Sequence, residues 1–334
     1  MGKIIRLDAK LQNMIAAGEV IERPANAVKE LVENSLDAKS KSIVIELEES
    51  GLKTIRVTDD GSGMDRDDCL LAFDRHATSK IRNEYDLFHI NSLGFRGEAL
   101  PSIAAISRVV ARSSDGIEGT EVTYEDGKLL GVESIALRKG TMITITRLFY
   151  NTPARFKYMK SEQSELRRIV EFVNKLALAR PDVSFRLVNG GKLLTHTTGS
   201  NDSREVMASL YGLETAKSAK SYSGENRDYR IEGMFASPVH NRSGKSSITI
   251  CVNDRPVSDF ALSREIEAAF GQYVPKDRYP IILLKIEVDP QLVDVNVHPT
   301  KYAVRFSEYE SLQKLVKKTL ADALGNVRVI QRIP

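Results

Sequence analysis

The hydrophobic period of the chain changes from 3.6 to 2 within its first sixty residues, and that change limits what the region can become. In RPANAVKELVENSLDA, Pro24 is placed to open a helix running to about Leu36, with Val28, Leu31 and Val32 on its inward face. In SIVIELEESGLKTIRVTDDGSG, Ile43, Ile45 and Leu47 alternate with polar residues, and Ile55 and Val57 answer them. That pattern predicts two strands joined by a short turn. Asp59 then falls at a strand exit, where a polar side chain sits on a rigid base.

Further elements follow. Residues 65–74 predict a helix using Cys69, Leu70 and Phe73, whereas 75–98 hold polar breaks, glycines and little periodicity. A loop of that length in a compact domain usually binds or gates something. SRVVARS, TEVTYEDGKLLGVES and GTMITITRLF predict strands and a hairpin. A helix from about Ser161 to Ala179 would place Leu166, Ile169, Val170, Val173, Leu176 and Ala177 on one stripe, closed by Pro181. SFRLVNGGKLLTHT reads as a hairpin, and GSNDS precedes a short helix through about Tyr211. Gly212 then begins the transition to a second domain. There, RIEGMFAS, SITICVNDRPV, a helix over 258–270, PIILLKIEV and a helix near 307–323 predict an α/β unit with a crossover connection.

The groups capable of chemistry cluster early. Glu30 and Asn34 lie four residues apart on a helix edge shared with Ala27. A carboxylate there can orient water and accept its proton, and a carboxamide oxygen can hold a cation. The glycines of DDGSG (59–63) and LGFRGEA (93–99) let backbone approach a nucleotide closely, and Asp59 offers an acceptor to a base amine. These segments predict a nucleotide site made from a helix and loops instead of a P-loop.

Composition removes several classes. At 334 residues the chain exceeds one ordinary core, so two domains are expected. With 42% hydrophobic and 28% charged residues it reads as soluble and globular. No run of 18 apolar residues occurs, and the first twenty residues lack the apolar centre of an export signal. Cys69 and Cys251 form no metal-ligand pattern and read as reduced, packed thiols. The five histidines form no cluster, and His76 and His298 read as polar loop residues. Formal net charge is only +3, but residues 138–180 hold ten basic residues against three acidic ones. That enrichment suits either a phosphate backbone or an ordinary solvated helix face.

IAAGEVIERPANAVKELVENSLDA, DDGSGM, RHATSK, LGFRGEAL, FYNTPARFK and VDVNVHPTKYAVRF occur in this order across most of the chain. Any one glycine motif is weak; the ordered set resembles the N-terminal ATPase region of the MutL family of DNA mismatch repair proteins. More broadly, the first domain resembles the Bergerat-fold (GHKL) ATPases that include gyrase, Hsp90 and histidine kinases. The resemblance implies an α/β (α+β) architecture: a Bergerat-fold sandwich of mixed sheet and helices over 1–214, with an ATP lid at about 75–98. A smaller α/β domain like domain 2 of ribosomal protein S5, over 215–334, would act as transducer and carry Lys301.

By the same resemblance, Glu30 is the general base and Asn34 the Mg²⁺ ligand. Asp59 receives the adenine amine, with Gly61 and Gly63 shaping its pocket. Thr141 helps orient adenine. Gly94, Phe95, Arg96 and Gly97 belong to the lid, and Thr78, Ser79 and Lys80 to a further part of it. Lys301 would approach the terminal phosphate, although a solvent-exposed lysine is the alternative from its position alone. The implied activity is slow Mg-dependent hydrolysis of ATP, closing the lid and promoting a homodimer of N-terminal regions. The implied partners are DNA, held by largely nonspecific backbone contacts, the mismatch-recognition protein MutS, and downstream repair factors. No membrane is implied, and the expected location is cytoplasmic, on the nucleoid in a bacterium.

MutL proteins continue through a linker to a C-terminal dimerisation domain, so an N-terminal portion is expected here. A gyrase-like topoisomerase ATPase region and a DNA-binding scaffold without turnover are the competing readings. VENSLDA, FRGEAL and the PARFK segment favour the MutL branch over the first. Intact Glu30 and Asn34 favour turnover over the second. One departure stands out: NDRPV has Asp254 where the family favours glycine, which leaves a DNA contact by Arg255 open.

Overall fold

The computed structural model describes residues 8–81, 94, 97–158, 161–294 and 305–325. They divide into two compact units, one of 1–173 with 182–199 and the other of 174–181 with 200–334. The first unit is built on eight strands: β1 (Ser42–Glu48), β2 (Thr54–Asp59), β3 (Arg108–Ser114), β4 (Gly119–Glu125), β5 (Lys128–Ile135), β6 (Gly140–Thr146), β7 (Ser184–Asn189) and β8 (Lys192–His196). Their order is β5-β4-β3-β6-β2-β1-β7-β8. β1 and β7 run parallel, and the other neighbours in this sheet are antiparallel.

Register explains why this sheet has one apolar face. Leu47, Ile55, Ile145 and Val109 are cross-strand partners through β1, β2, β6 and β3, and Ile45, Val57, Ile143 and Ala111 form the next row. All eight are buried. A slip of one residue would turn each of them to the opposite face, so the alternation read in the sequence fixes the pairing. The following row is Ile43, Asp59, Thr141 and Ser113. Here the apolar face turns polar, at the end of the strands.

The helix Pro24–Asp37 packs on β1 and β2 and buries Ala27, Val28, Leu31, Val32 and Leu36. Pro24 opens it as expected, since its missing N–H would have had no helical partner. The Arg66–Leu71 helix is shorter than expected. Cys69 and Phe73 are buried, but Leu70 is half-exposed. In the Glu162–Ala179 helix, Ile169, Val173, Leu176 and Ala177 are buried as the stripe predicts. Leu166 and Val170 are half-exposed, however, while Phe172 and the carboxylate of Glu165 go inward. The Glu165 exchange has a specific partner, Arg23 Nη1, at 3.5 Å.

The second unit carries β9 (Lys220–Glu225), β10 (Tyr229–Phe235), β11 (Ile248–Val252), β12 (Arg255–Val257) and β13 (Ile282–Val288), in the order β12-β11-β13-β10-β9. β11 and β13 pair in parallel, as a strand–helix–strand connection through the Phe260–Phe270 helix requires. Tyr229, Phe235, Phe270, Leu284, Leu312 and Leu320 lie in its core. The turn between β11 and β12 places Asn253 at φ 47° and Asp254 at φ 62°. This is the left-handed region that glycine enters freely and that Asn and Asp tolerate best among other residues, so the turn accommodates Asp254. Asp202 caps the Ser203–Tyr211 helix, accepting from Arg204 N at 2.8 Å. Cys69 and Cys251 are both buried and free.

Ile45 has no exposed surface and sits in the central apolar row, whereas Ile117 is 92% exposed. Ile45→Ala is expected to lower unfolding free energy by about 2–5 kcal/mol. Ile117→Ala should change it by less than about 0.5 kcal/mol. Urea melts of both variants check the pair.

Candidate active site

Glu30 and Asn34 stand half-buried along the Pro24–Asp37 helix, one turn apart and off its core face. Lys80 reaches this edge from the segment after RHATS. Its ammonium donates to Asn34 Oδ1 at 2.8 Å and pairs with Asp37 Oδ2 at 2.5 Å. Asp37 Oδ2 also accepts from the backbone N–H of Gly94 at 3.1 Å. Thr78 Oγ1 accepts from Lys80 N at 3.2 Å, and Ser79 is exposed beside it. His76 Nδ1 lies 2.9 Å from Glu98 Oε1, and Gly97 lies against the backbone of Ala77. Residues 76–80 are therefore held together with Gly94, Gly97 and Glu98 beside the Asn34 end of the helix.

The polar row forms the second half of the site. Asp59 Oδ1 accepts from Gly61 N at 2.9 Å and Oδ2 from Ser35 Oγ at 2.7 Å. One oxygen is held by the chain's own turn and the other by the helix, which fixes the carboxylate plane while lone pairs remain. Thr141 is its cross-strand partner on β6, and Ser113 is the partner of Thr141 on β3. The two hydroxyls are 2.8 Å apart, and Met64 N donates to Ser113 Oγ at 2.9 Å. Side chains at paired positions share a face, so Asp59, Thr141 and Ser113 line one edge of the site.

The turn after Asp59 admits only glycine at two positions. A Cβ on Gly61 would stand 2.6 Å from Ser40 Oγ and 2.8 Å from Ala38 O. Gly63 has φ 68°, and a Cβ there would meet Ser114 O at 1.8 Å. The turn thus lies flat against the strand end and the helix C-terminus, next to the Asp59 carboxylate.

Phe95, Arg96 and Lys301 lie outside the described residues. The flanks of the Lys301 segment, Val293–Asp294 and Arg305–Phe306, pair antiparallel. Sequence reasoning missed Ser35, Asp37 and Ser113. Ser35 and Asp37 follow Asn34 in ENSLDA and could have been weighed with it. Ser113 had no signal of its own, because only strand register puts it beside Thr141. The basic count over 138–180 is also partly used internally: Arg147 pairs with Glu125 at 2.6 Å, and Arg155 packs against Gly18. Arg167 and Arg168 remain exposed, while Arg255 is buried. Among the described residues no group of His, Cys, Asp and Glu is arranged to hold a metal.

A helix carrying Glu30 and Asn34, laid on a mixed sheet whose strand ends present Asp59 above a glycine turn, defines a GHKL-type ATPase domain. Residues 21–111 match the family described as histidine kinase-, DNA gyrase B-, and HSP90-like ATPase, and residues 207–325 match the DNA mismatch repair protein C-terminal domain. The chain belongs to the MutL family of DNA mismatch repair proteins. It is 52% identical to the MutL protein of Geobacillus sp. (strain WCH70) over 97% of the chain and 52% of that protein. Against the MutL protein of Geobacillus thermodenitrificans (strain NG80-2) it is again 52% identical, over 100% of the chain and 52% of that protein. The chain thus spans about half the length of the relatives it matches. Among solved structures it superposes on the N-terminal domain of a DNA repair protein with TM-score 0.80 and 25% identity, covering 93% of this chain and 96% of that one. The Aquifex aeolicus MutL ATPase domain complexed with ADP shares the fold, with TM-score 0.65, 24% identity and coverage of 90% and 98%.

Gly63→Ala meets both the left-handed φ and the Ser114 carbonyl. A destabilisation of more than about 1 kcal/mol is expected, exceeding the usual effect of glycine replacement at a permissive turn. A thermal melt beside Gly190→Ala, where no atom lies within 4 Å of the added Cβ, checks that the collision adds to the φ strain common to both.

Proposed function

We propose that the chain binds ATP at the polar end of the first sheet and hydrolyses it slowly with Mg²⁺, using the cycle to coordinate DNA mismatch repair. The observation that supports this best is the economy of one helix. Pro24–Asp37 supplies Glu30, Asn34 and the Ser35 hydroxyl that grips Asp59. Chemistry at the phosphate end and recognition at the base end are then tied to one rigid element.

Glu30 accepts a proton from the attacking water, a role open to a half-buried carboxylate within reach of solvent. The oxygens of Asn34 and Asp37 already converge on a cation, the Lys80 ammonium, and oxygen donors are what Mg²⁺ requires. Asn34 would hold the metal, which when bound offsets the charge of the phosphates. Lys80 then leaves Asn34, and with Thr78, Ser79, Gly94, Phe95, Arg96 and Gly97 contributes to the cover over the phosphates. Asp59 accepts from the adenine amine, Gly61 and Gly63 shape the turn beneath it, and Thr141 orients the ring. Lys301 approaches the terminal phosphate from the second unit, a role taken from the family resemblance.

ATP closes the lid over about 75–98 and promotes association of two N-terminal regions, provided it binds that state more tightly than the open one. The transducer is the domain over 215–334. DNA is held through its phosphates without much regard for sequence, and MutS and downstream factors supply recognition and excision. The cytoplasm, on the nucleoid in a bacterium, is the site of action proposed; among the described residues no helix is long and apolar enough to cross a membrane.

Glu30→Ala is expected to keep most ATP affinity and lose about 10²–10⁴ in turnover, the usual worth of a general base. Phosphate release and equilibrium nucleotide binding are measured separately; unchanged turnover removes Glu30 from the role. A double reversal, Arg167→Glu with Arg168→Glu, should weaken DNA binding most at low salt and flatten its salt dependence. Binding curves at several salt concentrations that match the unmodified protein would leave these arginines as an ordinary solvated face.

A further inference from the structure

Two exposed arginines of the second unit share one carbonyl. Asn241–Arg242 pairs antiparallel with Tyr279–Pro280, with Arg242 opposite Tyr279, and this brings Arg242 beside Arg278. Arg242 Nη1 donates to Asn241 O at 3.3 Å, and Arg278 Nη2 donates to the same oxygen at 3.2 Å. The two nitrogens are thus no further apart than these two bonds laid end to end. Each guanidinium has a second hold. Arg278 Nε donates to Asn241 Oδ1 at 2.6 Å, and Asn241 Nδ2 donates to Pro238 O at 2.9 Å, which aims the amide oxygen at the arginine. Arg242 lies over the Tyr211 ring, 5.7 Å from its centroid, and its Nη2 reaches Tyr211 O at 3.5 Å. Among the described residues neither guanidinium pairs with a carboxylate, and Glu267 is taken by Lys245 at 2.7 Å.

One neutral carbonyl does not offset two cations, whereas an anion laid across both does. We infer that Arg242 and Arg278 form a clamp for one phosphodiester group of a nucleic acid strand. This rests on the DNA reading given above and adds to it a contact on the second unit, outside the basic stretch over 138–180. A phosphate presents two oxygens on one tetrahedral centre, each taking a charge-assisted bond of about 2.7–2.9 Å, so it can bridge the pair. A guanidinium is a planar fork, and the N–H groups not used on Asn241 and Tyr211 remain for the ligand. A strand suits the place better than a free phosphate because the cations continue. Lys245 lies over the Tyr279 ring, 5.3 Å from its centroid, and Tyr279 is the cross-strand partner of Arg242. The hydrogen bond to Glu267 raises the Lys245 amine, and Arg264 is near enough to oppose it. Neighbouring phosphates of one strand can use these cations together, while an isolated phosphate gains little at an exposed pair.

The test is binding of a short fluorescein-labelled DNA duplex, read by anisotropy at several salt concentrations. Arg242→Ala and Arg278→Ala are each expected to weaken binding about fivefold at low salt. The double variant should lose about tenfold, short of the product of the two, because both side chains serve one phosphate. Its plot of log affinity against log salt should be shallower by about one. Arg227→Ala with Arg230→Ala removes the same charge from exposed positions at the far end of β10 and should cost less than about twofold. Arg242→Lys with Arg278→Lys keeps the charge but loses the fork, and should still bind more weakly than the Arg227 pair; it replaces any alanine variant that a melt shows to be unfolded. Losses that multiply, an equal loss in the Arg227 pair, or unchanged binding by the folded double variant overturns the clamp and leaves the DNA reading standing. Inorganic phosphate should displace the duplex no better than chloride at matched ionic strength. Displacement that depends on Arg242 and Arg278 overturns the strand as the ligand. An unmodified protein that binds no duplex at low salt overturns the DNA reading and the clamp with it, a result distinct from the others.

Discussion

The bond from Ser35 Oγ to Asp59 Oδ2, at 2.7 Å, joins the helix that carries Glu30 and Asn34 to the end of the central strand. Hydrophobic burial alone would let the helix slide or turn by a few degrees on the sheet, since apolar contact has no direction. A short bond to a charged acceptor removes that freedom. Ser40 Oγ in turn donates to Ser35 O at 2.6 Å, and the same Ser40 stands where a side chain on Gly61 would have to go. The helix C-terminus, the strand exit and the glycine turn are therefore one unit. Any group that the helix presents is held at a set height above the Asp59 carboxylate.

Much of this was legible in the residues. The two hydrophobic periods placed Pro24–Asp37 and the β1–β2 pair, because an amphipathic stripe and a strict alternation have few other solutions. Asn-Gly-Gly and Asp-Gly marked the tips of the β7–β8 and β4–β5 hairpins, where Gly190, Gly191, Asp126 and Gly127 take positive φ. What stayed hidden depends on contacts between distant segments. Nothing in the local pattern says that β1 pairs in parallel with β7, some 140 residues away, or that β9 completes the second sheet. Glu165 reads as one more solvated acid until Arg23 is placed beside it.

The candidate site divides along the same line. Glu30, Asn34 and Asp59 stand out locally by spacing and by their glycine neighbours, so they could be picked from the chain. Ser113 and Thr141 are 28 residues apart, and their relation exists only as a register between β3 and β6. The basic stretch over 138–180 misleads in the opposite sense, because a count of charges does not separate Arg155, folded onto Gly18, from Arg167 in solvent.

Lys80 on Asn34 and Asp37 makes the chain its own placeholder. A tethered ammonium needs no loss of translational freedom to occupy the site, and its local concentration is set by the chain that tethers it. On the proposed reading a free divalent ion would have to displace it and shed water to do so, an uneven contest for a metal that dehydrates reluctantly. A metal already bound to a polyphosphate would change the terms, since the phosphates would give the displaced ammonium somewhere to go. On that reading the exchange would be one of partners and not of charge, favouring the pair over the bare ion.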